Sequence, residues 1–564
     1  MLLLNPHAHN RPYPDERSRQ IMVKTIEFFE KKGKVKLKED DRERIWYADL
    51  LEFLKKEGVF HTLLTPTRYG QGDCRWDTWR NCEFSEILAF YGLHYWYTWQ
   101  VTILGLGPLW MSANEAIKEK TAELLKQGAV FAFGLSEKEH GADVYASEMT
   151  LFPTGEKTWR ARGGKYYIGN ANVAALVSNF GRFAGTDEYV FFATDSQHEK
   201  FECIRNLVNV QSYVAEYALH DYPIGEADIL SRGPEAWDAA LNTVNVGKFN
   251  LGWASIGICT HALYEAINHA ANRRLYDKFV TDFPHVRQLF VDAYTRLIAM
   301  KLFSLRAADY LRSASLNDRR YLLYNPMVKM KVTMQGEQVI DALWDVIAAR
   351  GFEKEVYFES ATRDIRALPK LEGTAHVNMA LVVKFMANYL FNPREFPEIP
   401  RRDDAADDEF LFHQGPTKGL GKIQFHDYNL AYGPADSLNV SIFKEQIKTL
   451  KKFLLKTPPS PEQQKDVDFL LSLGEIFTLI PYGQLILENA RIYGVSRDLV
   501  EQIFDFMVRD FSKYALQLYH KPSSTPEQME MCLAMIKRPA VDRELFGRVW
   551  DEVYALEGLY EMNP

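Results

Sequence analysis

The hydrophobic period of this chain changes near residue 130 and changes back near residue 234, so the fold must carry helices on either side of a β-rich middle. Upstream, residues 15–127 repeat apolar positions three and four apart, as in Trp46-Tyr47-Ala48-Asp49-Leu50-Leu51-Glu52-Phe53-Leu54, with a turn-rich interruption at Pro66-Thr67-Arg68-Tyr69-Gly70-Gln71-Gly72. Residues 130–229 offer short β-branched and aromatic runs, such as Lys165-Tyr166-Tyr167-Ile168 and Tyr189-Val190-Phe191-Phe192-Ala193-Thr194, divided by Gly, Asp and Asn. Helical pattern returns over 234–390, most clearly at 286–311, where Leu289, Phe290, Ala293, Leu297, Met300 and Leu305 form one stripe. Residues 392–404 combine three prolines with a charge cluster and read as a boundary or surface linker. Beyond them the pattern is helical again, punctuated by Pro458-Pro459-Ser460-Pro461 and Pro522-Ser523-Ser524-Thr525-Pro526. The expected class is α+β, with an N-terminal helical domain (1–128), a middle β-domain (129–235), a C-terminal helical bundle (236–392), a linker (393–435) and an extra helical domain (436–564).

At 564 residues the chain exceeds one ordinary core. Its formal net charge of -8 gives no general attraction to phosphate backbones or anionic membranes, so no nucleic-acid partner is expected. Cys74, Cys82, Cys203, Cys259 and Cys532 are scattered and contain no CxxC pair, which opposes a disulfide framework and a zinc site and suits a reducing cytoplasm. Met1-Leu2-Leu3-Leu4-Asn5-Pro6 lacks the basic lead-in of a signal peptide, and the most apolar stretch, 476–487, is interrupted by Pro481, so no membrane span is expected. Gly105-Leu106-Gly107-Pro108 lacks the third glycine of a dinucleotide-binding turn, 415–422 lacks the P-loop spacing, and no HExxH or equivalent cluster indicates a metal.

Four segments can carry chemistry. In 363–374 an Arg363-Asp364 lead-in precedes Glu372, Gly373 and Thr374, a carboxylate followed by a flexible residue and a hydroxyl; the bare triplet also reads as a helix boundary. In 131–143 an apolar run delivers Ser136 and then a glycine-containing loop, which sets hydroxyl and backbone N–H donors at a strand exit. In 163–171 two glycines precede Tyr166, Tyr167 and Ile168. In 272–279 Arg273 and Arg274 close a helical stretch ahead of Tyr276.

Taken in this order, these segments resemble the acyl-CoA dehydrogenase family, over roughly residues 15–390. The resemblance implies a helical–β–helical plan binding FAD and an acyl-CoA thioester. It makes Glu372 the base that removes the α-proton while the β-hydrogen leaves as hydride. It assigns the flavin to Ser136, to Tyr167 as the packing aromatic, to the backbone of Gly169 where relatives carry a hydroxyl residue, and to Arg273 and Tyr276 across a subunit interface. Gly351, Thr374 and His376 complete that set, His376 standing where relatives carry Gln. Lys248 stands at an arginine near CoA, and Ala142 at a serine near the pantetheine. Implied partners are electron-transferring flavoprotein and further copies of the chain, as a homodimer or homotetramer. The alternatives are an acyl-CoA oxidase and a non-catalytic flavoprotein of the alkylation-response type.

Overall fold

A computed structural model describes residues 2–8, 11–141 and 143–564. Ala142, expected near the pantetheine, lies outside the described residues. The chain forms two compact units, one from residues 11–250, 403–418 and 562–564, the other from 2–8, 251–402 and 419–561.

The first unit is organised around two inner helices. Thr78–Tyr91 is buried on every side, and Leu93–Met111 is buried everywhere except Tyr97 and Met111. The mostly apolar Leu93–Met111 belongs in an interior, whereas Thr78–Tyr91 also buries Arg80, Glu83 and Glu86. The glycines that failed as a dinucleotide motif have a packing reason: a Cβ at Gly105 would lie 2.7 Å from the Ala132 backbone N, and one at Gly107 would lie 2.4 Å from Thr243 Oγ1. Their absence lets the helix press against the sheet and against helix Gly233–Gly247.

The sheet is eight-stranded. Its strands are β1 (Phe131–Gly134), β2 (Thr150–Gly155), β3 (Thr158–Gly169), β4 (Leu176–Phe183), β5 (Tyr189–Thr194), β6 (Phe201–Asn206), β7 (Val214–Gly225) and β8 (Ile229–Arg232). They run in the order β6-β7-β3-β2-β4-β5-β8, with β1 added in parallel to β4. Met149, Leu151, Val177, Phe192 and Tyr217 belong to its buried core. Pro234 sits in the first turn of Gly233–Gly247, where its missing N–H costs nothing. That helix groups with the first compact unit.

The expected linker over 393–435 is divided. Residues 403–418 belong to the first unit, where Asp407 accepts from Thr67 N at 2.6 Å and Asp408 from Thr78 N at 2.6 Å. Residues 393–402 belong to the second, where the Ile399 carbonyl accepts from Arg306 at 2.7 Å.

The second unit joins the expected bundle and the C-terminal extension into one body. Helix Pro284–Arg312 was expected to bury one stripe, yet nearly its whole surface beyond Phe290 is buried, because extension helices Val467–Ile492 and Arg497–Tyr519 pack on it. Arg296 donates to both carboxylate oxygens of Asp510, at 2.8 and 3.0 Å, and to Gln335 at 2.7 Å. Breaking such a buried bidentate pair typically costs several kcal/mol, of order 3–5, which fixes the extension to the bundle.

Pro481 does not end the apolar segment as expected. Helix Val467–Ile492 runs through it for 26 residues, long and apolar enough to cross a membrane, but 83% of its most apolar window is buried inside the fold. Tyr432 packs at the proline turn, donating its hydroxyl to the Ile480 carbonyl at 2.7 Å.

Candidate active site

The segment expected to carry the base lies in the second unit. Helix Tyr357–Ile365 carries Arg363 and Asp364 and ends before a short irregular loop, after which helix Ala375–Val382 begins. Glu372 and Gly373 are consecutive left-handed residues, with φ of 52° and 83°. That conformation is expected of glycine and disfavoured for a glutamate, so the surrounding structure must hold it. Glu372 is half-buried. Thr374 is the N-cap of the following helix, its hydroxyl accepting from Val377 N at 3.4 Å, and this local role is the one the structure gives it.

Lys329 reaches the same loop from a π-helical turn, Val328–Val332, and is fully buried. Its ammonium donates to the carbonyls of Pro369 and Gly373, each at 2.6 Å. Asn378 also donates to Gly373, at 3.3 Å. Behind the loop, helix Ala375–Val382 packs on the extension, where a Cβ at Gly474 would stand 2.6 Å from Met379 Sδ. His376 is exposed on the same helix; burial pushes the Glu475 carboxyl of the extension up, against the pull of Lys331 and Lys513.

A second cluster in this unit gathers Arg273, Arg350 and His269. Arg350 lies 2.9 Å from His269 Nδ1 and Arg273 lies 3.4 Å from Nε2. Burial and then the two guanidinium charges push His269 down to about 4. A neutral imidazole flanked by two fixed cations is a donor set suited to an anion with several oxygens. Gly351 follows directly, and a Cβ there would lie 2.3 Å from Trp344 Nε1, so this glycine is fixed by ring packing. Tyr276 is 90% exposed at the tip of a hairpin formed by Arg274–Leu275 and Lys278–Phe279. Tyr276 and Asp277 make its turn in left-handed conformation without a glycine, with φ of 51° and 62°.

In the first unit, β1 delivers half-buried Ser136, whose carbonyl accepts from Tyr166 N at 3.0 Å. The next residue, Glu137, anchors the loop by accepting from Lys165 Nζ and Ser147 Oγ, both at 2.7 Å, and from the backbone of Glu148 and Met149. Burial would raise the Glu137 carboxyl, but the Lys165 ammonium and these donors hold it below its ordinary range. Among the described residues Glu137, His140 and Glu148 bring ligand atoms within 4.8 Å of one another. The bonds already made by Glu137, and the adjacent Lys165 charge, make that group a loop anchor and a poor cation site.

Tyr166 and Tyr167 interrupt the β3–β7 register between Lys165 and Ile168, and Tyr167, at φ 64°, is 63% exposed. This bulge turns an aromatic ring out of the ladder. Gly169 is back in register with Val214, and a Cβ on it would lie 2.7 Å from Tyr97 Cε1 and 2.8 Å from Val101 Cγ2. Lys248, expected to meet an anionic adenylate, is buried at the C-cap of helix Gly233–Gly247.

Lys329, Arg350, His269 and Tyr97 were not singled out by sequence reasoning. Arg350 alone had a signal, its place beside Gly351.

In chain order the protein has helical, β-rich and helical parts, with a glutamate on a left-handed turn ahead of a capped helix. Residues 236–387 match the family model described as acyl-CoA dehydrogenase, C-terminal domain. The short-chain-specific acyl-CoA dehydrogenase of Megasphaera elsdenii is 22% identical over 368 residues, covering 63% of this chain and 93% of its own. The caffeyl-CoA reductase–Etf complex subunit CarC of Acetobacterium woodii is 24% identical over 283 residues, covering 49% and 73%. The solved acyl-CoA dehydrogenase complexed with FAD from Bacillus anthracis superposes with a TM-score of 0.72 at 14% identity, over 98% of this chain and 97% of that one, so the extension too has a counterpart in fold. Over residues 236–387, and in fold along the chain, the protein is similar to the acyl-CoA dehydrogenases.

Proposed function

We propose that the protein is an oxidoreductase that uses FAD to introduce a trans double bond between Cα and Cβ of an acyl-CoA thioester, with Glu372 as the base. The observation that carries this reading is the base segment itself. A half-buried carboxylate on two successive left-handed residues is a conformation paid for by its surroundings, as functional residues often are. An α-proton of a thioester is weakly acidic, so its removal needs a positioned carboxylate and hydrogen-bond donors for the enolate-like charge on the thioester oxygen. Glu372 supplies the carboxylate, and its own N–H is one such donor.

The residues present suit FAD. Each unit taken by itself offers suitable groups: Arg273 and Arg350, with His269 between them, suit a pyrophosphate, and the exposed Tyr167 ring with the Ser136 loop suits an aromatic system. Bound FAD supplies the hydride acceptor. The family relatives support acyl-CoA as substrate, and the Acetobacterium woodii relative supports electron-transferring flavoprotein as electron partner. That relative is named a reductase, and Glu372 returns the proton when the same step runs backwards. The exposed Tyr276 hairpin supports assembly with a second copy, and the five free cysteines suit a cytoplasmic setting.

The test is spectroscopic. Purified protein is expected to show a bound-flavin spectrum that acyl-CoA esters bleach without oxygen, and Glu372→Gln is expected to keep the spectrum and lose the bleaching. Bleaching of the variant at the unaltered rate would remove Glu372 from the role. Peroxide formation measured against reduction of an electron acceptor separates oxidase from dehydrogenase.

A further inference from the structure

We infer that Lys329 is a positioning residue for Glu372, a buried clamp that holds the base loop in its left-handed form; this rests on the reading of Glu372 as the base. Lys329 is fully buried, an expensive place for an ammonium unless its donors are used. It uses them on backbone, bonding the carbonyls of Pro369 and Gly373, each at 2.6 Å. Those carbonyls bracket Lys370, Leu371 and Glu372, so one charged group ties both ends of the turn that carries the base.

The clamp is itself fixed. A π-helical turn over Val328–Val332 lies between helices Tyr321–Met327 and Thr333–Ile347. Such a turn inserts a residue, re-aims the side chains after it and loosens the backbone ladder. Thr333 Oγ1 donates to the Lys329 carbonyl at 2.5 Å and lies 3.2 Å from that of Met330, placing its one donor at the widened turn. On the other side, helix Phe249–Asn272 reaches the turn at Gly252, where a Cβ would lie 2.8 Å from the Val328 carbonyl oxygen. The ammonium is thus set against a rigid base and the loop is set against the ammonium. Without it, Glu372 relaxes from φ 52° towards ordinary backbone and its carboxylate moves off the proton it removes.

The test compares Lys329→Met, which keeps the stem and removes the donors, with Lys329→Arg, which keeps a cation, both in the full FAD-loaded protein. Lys329→Met is expected to lower kcat by about 100-fold, the scale of a misplacement near 1 Å, with KM for acyl-CoA within about threefold. Amide hydrogen exchange is expected to quicken at Leu371, Glu372 and Gly373 and to stay unchanged in the sheet. Lys329→Arg is expected to recover most of the kcat. Unaltered kcat in Lys329→Met would overturn the proposal, whatever the amides do. So would a loss of kcat accompanied by faster exchange throughout the chain and no recovery in Lys329→Arg, since that marks a purely structural lysine. Glu372→Gln, assayed alongside with Lys329 intact, tells the two readings apart: unaltered turnover there removes the base, and the clamp with it.

Discussion

The ring of Tyr97 occupies the volume that any side chain at Gly169 would need, its Cε1 and Cζ lying 2.7 and 3.0 Å from where a Cβ would be built. The resemblance placed a hydroxyl residue at position 169, and the structure shows why this chain has none there. A glycine is compatible with the phenol; a threonine is not.

Gly169→Thr is therefore expected to destabilise the protein by about 1–3 kcal/mol through overpacking. In a Tyr97→Ala background the same substitution costs much less. Denaturant unfolding of the four proteins measures the coupling. An equal cost in both backgrounds would show that Tyr97 is not what excludes the side chain.

Gly474 permits a similar approach between helix Val467–Ile492 and the helix that follows the base, since a Cβ there would lie 2.6 Å from Met379 Sδ and 2.8 Å from Val383 Cγ2. Gly474→Val is expected to destabilise by about 1–3 kcal/mol and also to lower turnover, because the displaced helix starts at Thr374, beside the base. Unfolding and steady-state kinetics on one preparation check both effects. A loss of stability with undiminished turnover would uncouple the extension from the base.

His269 is pushed down to about 4 by burial and then by Arg350 and Arg273. Arg350→Ala removes the guanidinium with the larger effect on His269, so the imidazole is expected to titrate nearer its ordinary range, read by NMR. The same variant is expected to weaken flavin retention, read as flavin per chain after gel filtration. The sign for stability follows from neutrality in the fold. The contribution is complete above the ordinary pKa of 6.5 and is lost as pH falls towards about 4.

Glu488 is almost fully enclosed. Burial alone would raise its carboxyl, but the hydrogen bond with His426 and the charge of Arg306, whose Nε donates to it at 2.8 Å, bring it down to about 2. Its folded pKa lies below the ordinary 4.5, so its contribution is full above 4.5 and disappears as pH falls to about 2. Glu488→Gln is expected to cost a few kcal/mol at neutral pH, roughly 3, and to flatten the dependence of stability on pH across that window. Parallel slopes for both proteins would contradict it.

The period change made the sheet legible because a strand needs alternation and short runs whatever it packs against. The base segment was legible because Arg363, Asp364, Glu372 and Gly373 are close in sequence. Lys329 was not, since it is 44 residues from Gly373 and Val328-Lys329-Met330-Lys331-Val332 has no spacing that distinguishes a π-turn from an α-helix. Tyr97 was hidden for a related reason: it is one aromatic among many on an apolar helix, and its meaning depends on the glycine it faces. The extension announced itself as helical, but its stripes could not say that they cover Pro284–Arg312, a fact held in tertiary contacts such as Arg296 with Asp510. Pro481 misled because a proline removes a single N–H, the one that would reach the Phe477 carbonyl, and a long helix buried on all sides continues past it.

The central claim, that Glu372 removes the α-proton, is tested most directly by incorporation of deuterium from D2O at Cα of a saturated acyl-CoA bound to the FAD-loaded protein without an electron acceptor. The unaltered protein is expected to catalyse the exchange, and Glu372→Gln, with equal flavin content and equal thioester affinity, is expected to slow it by about 100-fold or more, the scale of a lost general base. Equal exchange rates in the two proteins would contradict the account.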